Sequence, residues 1–193
     1  MKKVDIKDSH RVFDDFFKIE EANLQFERFD GKMSDTVRRL NFERGDSVAA
    51  LVLDRHRKEF IFTSQFRYPT YKKGPGWILE IVAGMVEKGE SPENTIRREI
   101  LEEIGYEVEQ IEYISTFYLS PGGSSERILL YYAEVSDEQF QEGEGGGLED
   151  EHEDIQVKRI PIEEVQQLLQ SDQLQDAKSL IALQWWALSQ QIK

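Results

Sequence analysis

The stretch from Gly84 to Gly105 constrains this chain more than any other part of it. It reads GMVEKGESPENTIRREILEEIG. Ser91 is suited to an N-cap, Pro92 to the first helical position and Glu93 to the positive end of the helix dipole. Gly105 supplies the stop. On the helix between them, Ile96, Ile100 and Ile104 step by four and form an apolar stripe. Glu99, Glu102 and Glu103 are related by steps of three and four and share a neighbouring face. The stripe can pin the helix to a core while the carboxylates line a groove.

Carboxylates so placed repel one another. At an effective dielectric near 20, each pair costs roughly 2–3 kcal/mol at ~6–8 Å. A divalent cation reverses the sign, and hard oxygen ligands suit Mg²⁺ or Mn²⁺, which bridge to substrate phosphates. On a solvated helix face the same repulsion falls to about a few tenths of a kcal/mol. The glutamates alone therefore fit an exposed acidic face as well.

Composition narrows the function classes. The 193 residues suit one domain, or one domain with an appendage. At 39% apolar residues a real core is affordable, which excludes global disorder. Acidic side chains outnumber basic ones by 38 to 24, a net charge of −14, which argues against nucleic acid as a partner. A phosphate-bearing substrate is still compatible, provided a cation lies between it and the protein. With no cysteine, disulfide scaffolds, thiolate zinc sites and thiol nucleophiles are out. Residues 1–8 lack the apolar core of a secretory signal, and no apolar run is long enough for a membrane span. A cytoplasmic protein without membrane contact is the expectation.

Residues 1–45 carry strand character at Val12 to Phe17, Leu24 to Phe29 and Thr36 to Phe42, with Asp30-Gly31 as a hairpin turn. They predict an N-terminal antiparallel sheet appended to a main domain over 46–193. In that domain, strands are expected at Ser47 to Leu53, Glu59 to Phe66, Trp77 to Ala83, Gln110 to Tyr118, Arg127 to Val135 and Ile155 to Ile160. Helices are expected at Ile162 to Gln170 and Gln175 to Ser189. Residues 142–154 hold seven acids and four glycines and read as a loop. The class is α+β.

The spacing over Gly84–Gly105 resembles the signature of the Nudix hydrolases at every fixed position: Gly84, Glu90, Arg98, Glu99, Glu102, Glu103 and Gly105. Tyr106 departs from it, at a packing position where the family has an aliphatic residue. The resemblance implies an α/β/α sandwich and Mg²⁺-dependent hydrolysis of a nucleoside diphosphate linked to another group. Pro121, sixteen residues after Gly105, resembles the mark of the ADP-ribose pyrophosphatase group, and the likeness extends over roughly residues 12–188.

That resemblance implies roles residue by residue. Glu99, Glu102, Glu103, Glu153 and the carbonyl of Ala83 match metal ligands, with Arg98 orienting the carboxylates. Glu151 falls where the general base sits, on a loop able to close over substrate. Arg67 matches a phosphate contact, for which a guanidinium fork is suited. Glu126 matches another substrate contact, and Met85 with Ser120, Pro121 and Gly122 the ribose side. Phe16 and Phe17 match the region that stacks on adenine, and Arg39 and Arg44 further substrate contacts. Leu40 departs from the group, which carries an acid there, so hydrolysis of GDP-mannose or another nucleotide sugar stays open beside ADP-ribose. A non-catalytic nucleotide sensor is the reading from another class; its family members lose signature glutamates, which are all present here. The resemblance also implies a homodimer with exchanged N-terminal sheets, in which residues 1–45 serve both pairing and base recognition.

Overall fold

The computed structural model describes residues 2–148 and 153–191. The chain separates into two compact units, Met1–Gly45 with Tyr118–Arg127, and Asp46–Phe117 with Ile128–Lys193.

The first unit is a three-stranded antiparallel sheet in the order β1 (Val4–Asp14), β2 (Lys18–Phe26) and β3 (Val37–Glu43). Asp30-Gly31 lies in the turn between β2 and β3, with Gly31 at φ 79°. β3 lies within one residue of its expected place, while the first two strands differ from the expected ones. β1 begins eight residues earlier than Val12, and Asp15-Phe16-Phe17 is a turn. Every residue of β1 is exposed, so its sequence carries no alternation that a buried face would impose. The segment 120–126 joins the end of β3: Phe42 N–H donates to Gly123 O at 2.8 Å and Ser125 N–H to Phe42 O at 3.2 Å.

The second unit is built around β4 (Asp46–Asp54), whose interior residues are all buried. Val48, Ala50 and Val52 face one core, and Ala49, Leu51 and Leu53 the other. A strand covered on both faces reads as an unbroken apolar run, here VAALVL. The other strands are β5 (Glu59–Phe66), β6 (Trp77–Glu80), β7 (Val82–Met85), β8 (Ile111–Tyr118), β9 (Arg127–Val135) and β10 (Gln156–Pro161). The sheet order is β10-β5-β4-β9-β8, with β6 beside β5 and β7 beside β4. A four-residue helix α1 (Tyr68–Tyr71) follows β5. Helix α2 (Pro92–Ile104) covers the first core, and α3 (Val165–Leu169) and α4 (Ala177–Gln191) cover the second. Helix, sheet and helix make the expected three-layer α+β sandwich.

One expected strand, Trp77 to Ala83, is two. β4 and β5 pair only from Val52 to Asp54 and then splay. β6 follows β5 into the opening, and β7 follows β4. The chain changes neighbour at Ile81, whose N–H donates to Ser179 Oγ at 2.9 Å instead of to a strand. This crossover delivers Ala83 and Gly84 beside α2. At the C-terminal end, a 3₁₀ turn over Ile162–Glu164 precedes α3, which shortens the expected helix. Trp185 and Trp186, both half-buried, pack on Tyr132 and Phe60, and Trp186 thereby borders the second core. No helix among the described residues is long and apolar enough to cross a membrane.

Candidate active site

Helix α2 begins and ends as its sequence directs. Ser91 Oγ accepts from Asn94 N–H at 3.3 Å, Pro92 opens the first turn, and Gly105 closes the last with φ 76°. Ile96, Ile100 and Ile104 are 0%, 0% and 3% exposed, so the stripe anchors the helix. Glu103, one residue from Ile104, is drawn under with it and is only 4% exposed. Glu99 leans across to β7. A Cβ on Gly84 would lie 2.0 Å from the Glu99 carboxyl carbon, so only glycine leaves room there.

Arg98 gathers the carboxylates. It reaches Glu102 at 2.7 Å, Glu99 at 3.0 Å and Glu90 at 3.3 Å. Its hydrogen bonds, with one from Thr95, hold the Glu90 carboxyl below its usual range. Glu99 behaves oppositely. Burial pushes it up to about 7, aided by the charges of Glu102 and Glu153, although Arg98 opposes. Burial also drives Glu103 well upward, with Glu99, Glu153 and Glu80 adding repulsion. Glu103 Oε2 is buried and has no hydrogen-bond partner among the described residues. A buried acceptor left so is costly, and a hard cation would satisfy it.

The acidic loop is tied to the same helix. Gly146 and Gly147 donate their N–H groups to the carbonyls of Glu103 and Glu102, each at 3.0 Å. Carbonyls that would be orphaned at the helix end are thereby satisfied. Gly143, Gly145, Gly146 and Gly147 all have φ between 84° and 96°, a region closed to other residues without strain. A Cβ on Gly147 would also meet Glu153 Cβ at 2.7 Å. Glu153 is thus held at the carboxylate cluster, its Oε2 accepting from Leu148 N–H at 3.2 Å. Glu151 lies outside the described residues. Among the described residues no three acidic or histidine side chains stand grouped as a metal site, and Arg98 occupies an oxygen of Glu99 and of Glu102. The donor set of buried Glu103, Glu99 and nearby Glu153 nonetheless fits a hard divalent cation that keeps part of its water shell.

On β5's end, Arg67 donates from Nε to Glu80 at 2.8 Å. Glu80 and its other partner, Lys178, carry no signal in the signature, and sequence reading missed both. A lysine inside the apolar run of α4 was the available hint. Met85 closes β7 opposite Ser47 and is exposed. Tyr106, the departure from the signature, is buried with its ring 5.2 Å from Phe140 and its hydroxyl accepting from Arg159 at 2.9 Å.

The first unit assembles its own set. Phe17 meets Phe42 edge-on at 5.1 Å and Phe16 at 4.8 Å. The Arg44 guanidinium lies 5.4 Å from the Phe17 ring and 3.8 Å from Glu126. Ser120, Pro121 and Gly122 form the turn leading to Glu126, with Gly123 N–H donating back to Ser120 O. Arg39 stands apart on β3, bonded only to the Arg38 carbonyl among the described residues. Leu40 is 47% exposed.

A NUDIX domain is matched over residues 43–183. The chain is 38% identical over 189 residues to an ADP-ribose pyrophosphatase of Escherichia coli (strain K12), covering 97% of this chain and 90% of that one. It is 35% identical over 183 residues to a GDP-mannose pyrophosphatase of Pectobacterium atrosepticum, covering 94% and 92%. A solved structure described as an ADP compounds hydrolase superposes with a TM-score of 0.73 at 19% identity, covering 97% of this chain and 96% of its own.

Proposed function

The chain belongs to the Nudix family and is a pyrophosphatase of nucleoside diphosphate sugars, and from that premise we propose that ADP-ribose is its substrate, split by water into AMP and ribose 5-phosphate. The observation that carries the hydrolytic reading is the buried Glu103 oxygen without a partner, beside a Glu99 seated in the space Gly84 leaves. Enzymes of this family generally use a divalent metal. Glu99, Glu102, Glu103, Glu153 and the Ala83 carbonyl would hold it. When bound, Mg²⁺ or Mn²⁺ supplies positive charge for the phosphate oxygens and for the leaving phosphate.

The protein's own groups do the rest. Arg98 spreads its fork over Glu90, Glu99 and Glu102 and sets their directions. Arg67 offers its terminal nitrogens to the pyrophosphate. Glu151 takes the proton of the attacking water at a carboxylate oxygen. Met85, Ser120, Pro121, Gly122 and Glu126 receive the ribose. Phe16 and Phe17 stack on the base, and Arg39 and Arg44 add substrate contacts. Residues 1–45 pair two copies of the chain; exposed Val4, Ile6, Val12 and Phe13 supply the apolar surface for that.

A second reading is GDP-mannose hydrolysis. Exposed Leu40 favours it, since an acid for adenine-side hydrogen bonding is missing there. A panel of nucleoside diphosphate sugars with Mg²⁺ decides: fastest turnover of ADP-ribose supports the proposal. Preference for GDP-mannose replaces it with the second reading, and tight binding without turnover makes the chain a sensor.

A further inference from the structure

We propose that Lys178 is a positioning residue for the phosphate contact of Arg67, acting through the buried carboxylate of Glu80. The proposal rests on the reading above that Arg67 meets the pyrophosphate.

The groups form one chain of contacts. Arg67 Nε donates to Glu80 Oε2 at 2.8 Å, and Lys178 Nζ donates to Glu80 Oε1 at 2.5 Å. Lys178 Nζ also reaches Asp176 Oδ1 at 2.9 Å. Asp176 Oδ2 accepts from Ser179 N–H at 3.0 Å and from Ser179 Oγ at 2.5 Å. Ser179 Oγ in turn accepts from Ile81 N–H, at the point where β6 gives way to β7. The start of α4 is therefore locked to the crossover, and Lys178 is held there with 10% of its side chain exposed.

Burial alone would raise Glu80 and lower Lys178. Their mutual attraction, with Arg67 and Asp176, outweighs burial and keeps both charged. A buried ion pair is a poor way to gain stability, because desolvation consumes most of the attraction. What this one does is geometric. Each Glu80 oxygen is claimed by a different cation, so Arg67 can use only Nε on it. The terminal nitrogens of Arg67, on a side chain 41% exposed, have no partner among the described residues. That is the fork a phosphate accepts. Remove the ammonium and Glu80 has one cation for two oxygens. The guanidinium then turns side-on to fill both and withdraws a terminal nitrogen from the substrate.

The test is a double-mutant cycle in steady-state kinetics on the full chain, using the best sugar of the panel with Mg²⁺. Lys178→Met should raise KM about tenfold and change kcat by less than about threefold. Its Mg²⁺ activation curve should match that of the unaltered enzyme. In an Arg67→Ala background Lys178→Met should add nothing. A KM effect that persists in full in that background, or no effect at all, overturns the proposal. Where Lys178→Met fails to fold by circular dichroism, Glu80→Gln carries the same cycle with the same expectations. Arg67→Ala with normal KM refutes the phosphate contact itself, and no turnover of any sugar by the unaltered chain refutes the substrate reading first.

Discussion

A methyl group at position 84 would overlap the Glu99 carboxylate, and the overlap cannot be relieved by β7, which is paired with β4 along its length. Glu99 must give way. Gly84→Ala should therefore lose about a hundredfold or more in kcat, in the range seen when one electrostatic contact is misplaced, while the melting temperature moves by only a few degrees. Loss of the fold would show instead that Gly84 serves packing. The residues at this scale that sequence could reveal are those at fixed separations on one helix. Glu99, Glu102 and Glu103 announce themselves because a helix turns a spacing into a face. Glu80 and Lys178 do not, since 98 residues separate them, and the apolar run around this lysine hints at its burial without naming its partner.

Elements are legible where burial or capping writes a pattern. α2 has both, and its cap gives a clean test. Ser91→Ala removes the acceptor for Asn94 N–H and should cost about 1 kcal/mol, read as a lower urea midpoint with the slope unchanged. The rate per folded molecule should stay as it was, because Ser91 lies about two turns from Glu99; a fall in kcat would tie the cap to chemistry. β4 was legible as an unbroken apolar run. β1 was not, because an edge strand with every residue exposed has no face to record. The break at Ile81 was also hidden, for it arises from the splay of β4 and β5, which is a relation between distant strands. Glycines at 143–147 read as a loose connection, yet two of them cap the end of α2.

At the scale of the molecule, acid stability has an identifiable contributor. Asp54 is fully buried at the end of β4 and accepts from the N–H groups of His56 and Arg57, each at 3.1 Å. The Arg57 and Arg159 guanidinium groups reach its other oxygen at 2.7 and 3.1 Å. Burial would raise this carboxyl, but the bonds from Arg57 and the charges of both arginines prevail and hold it below its usual range. Its folded value lies under its unfolded one. The stabilisation is thus present above about pH 4 and drains away as pH falls through the folded value. Asp54→Asn should cost up to about 3 kcal/mol at pH 7, and the gap from the unaltered protein should shrink at pH 3 in urea unfolding. A gap that stays constant would remove Asp54 from the account. Pairing of two copies is the other molecular question. If residues 1–45 pair two copies as proposed, the unaltered chain should scatter light as a dimer and Phe13→Lys, on a fully exposed β1, should halve that mass and lower activity together; an unaltered chain that is monomeric removes the pairing, and a dimer that survives the substitution places the interface elsewhere.

The clasp of Gly146 and Gly147 onto the last carbonyls of α2 also bears on how the protein would behave under deuterium. Backbone hydrogens bonded to a helix terminus open only when that terminus does, so these two amides should exchange as slowly as the end of α2 they latch. The part of the chain richest in the most permissive residue would then count among its best-protected, and its protection would fail in step with that of Glu102 and Glu103.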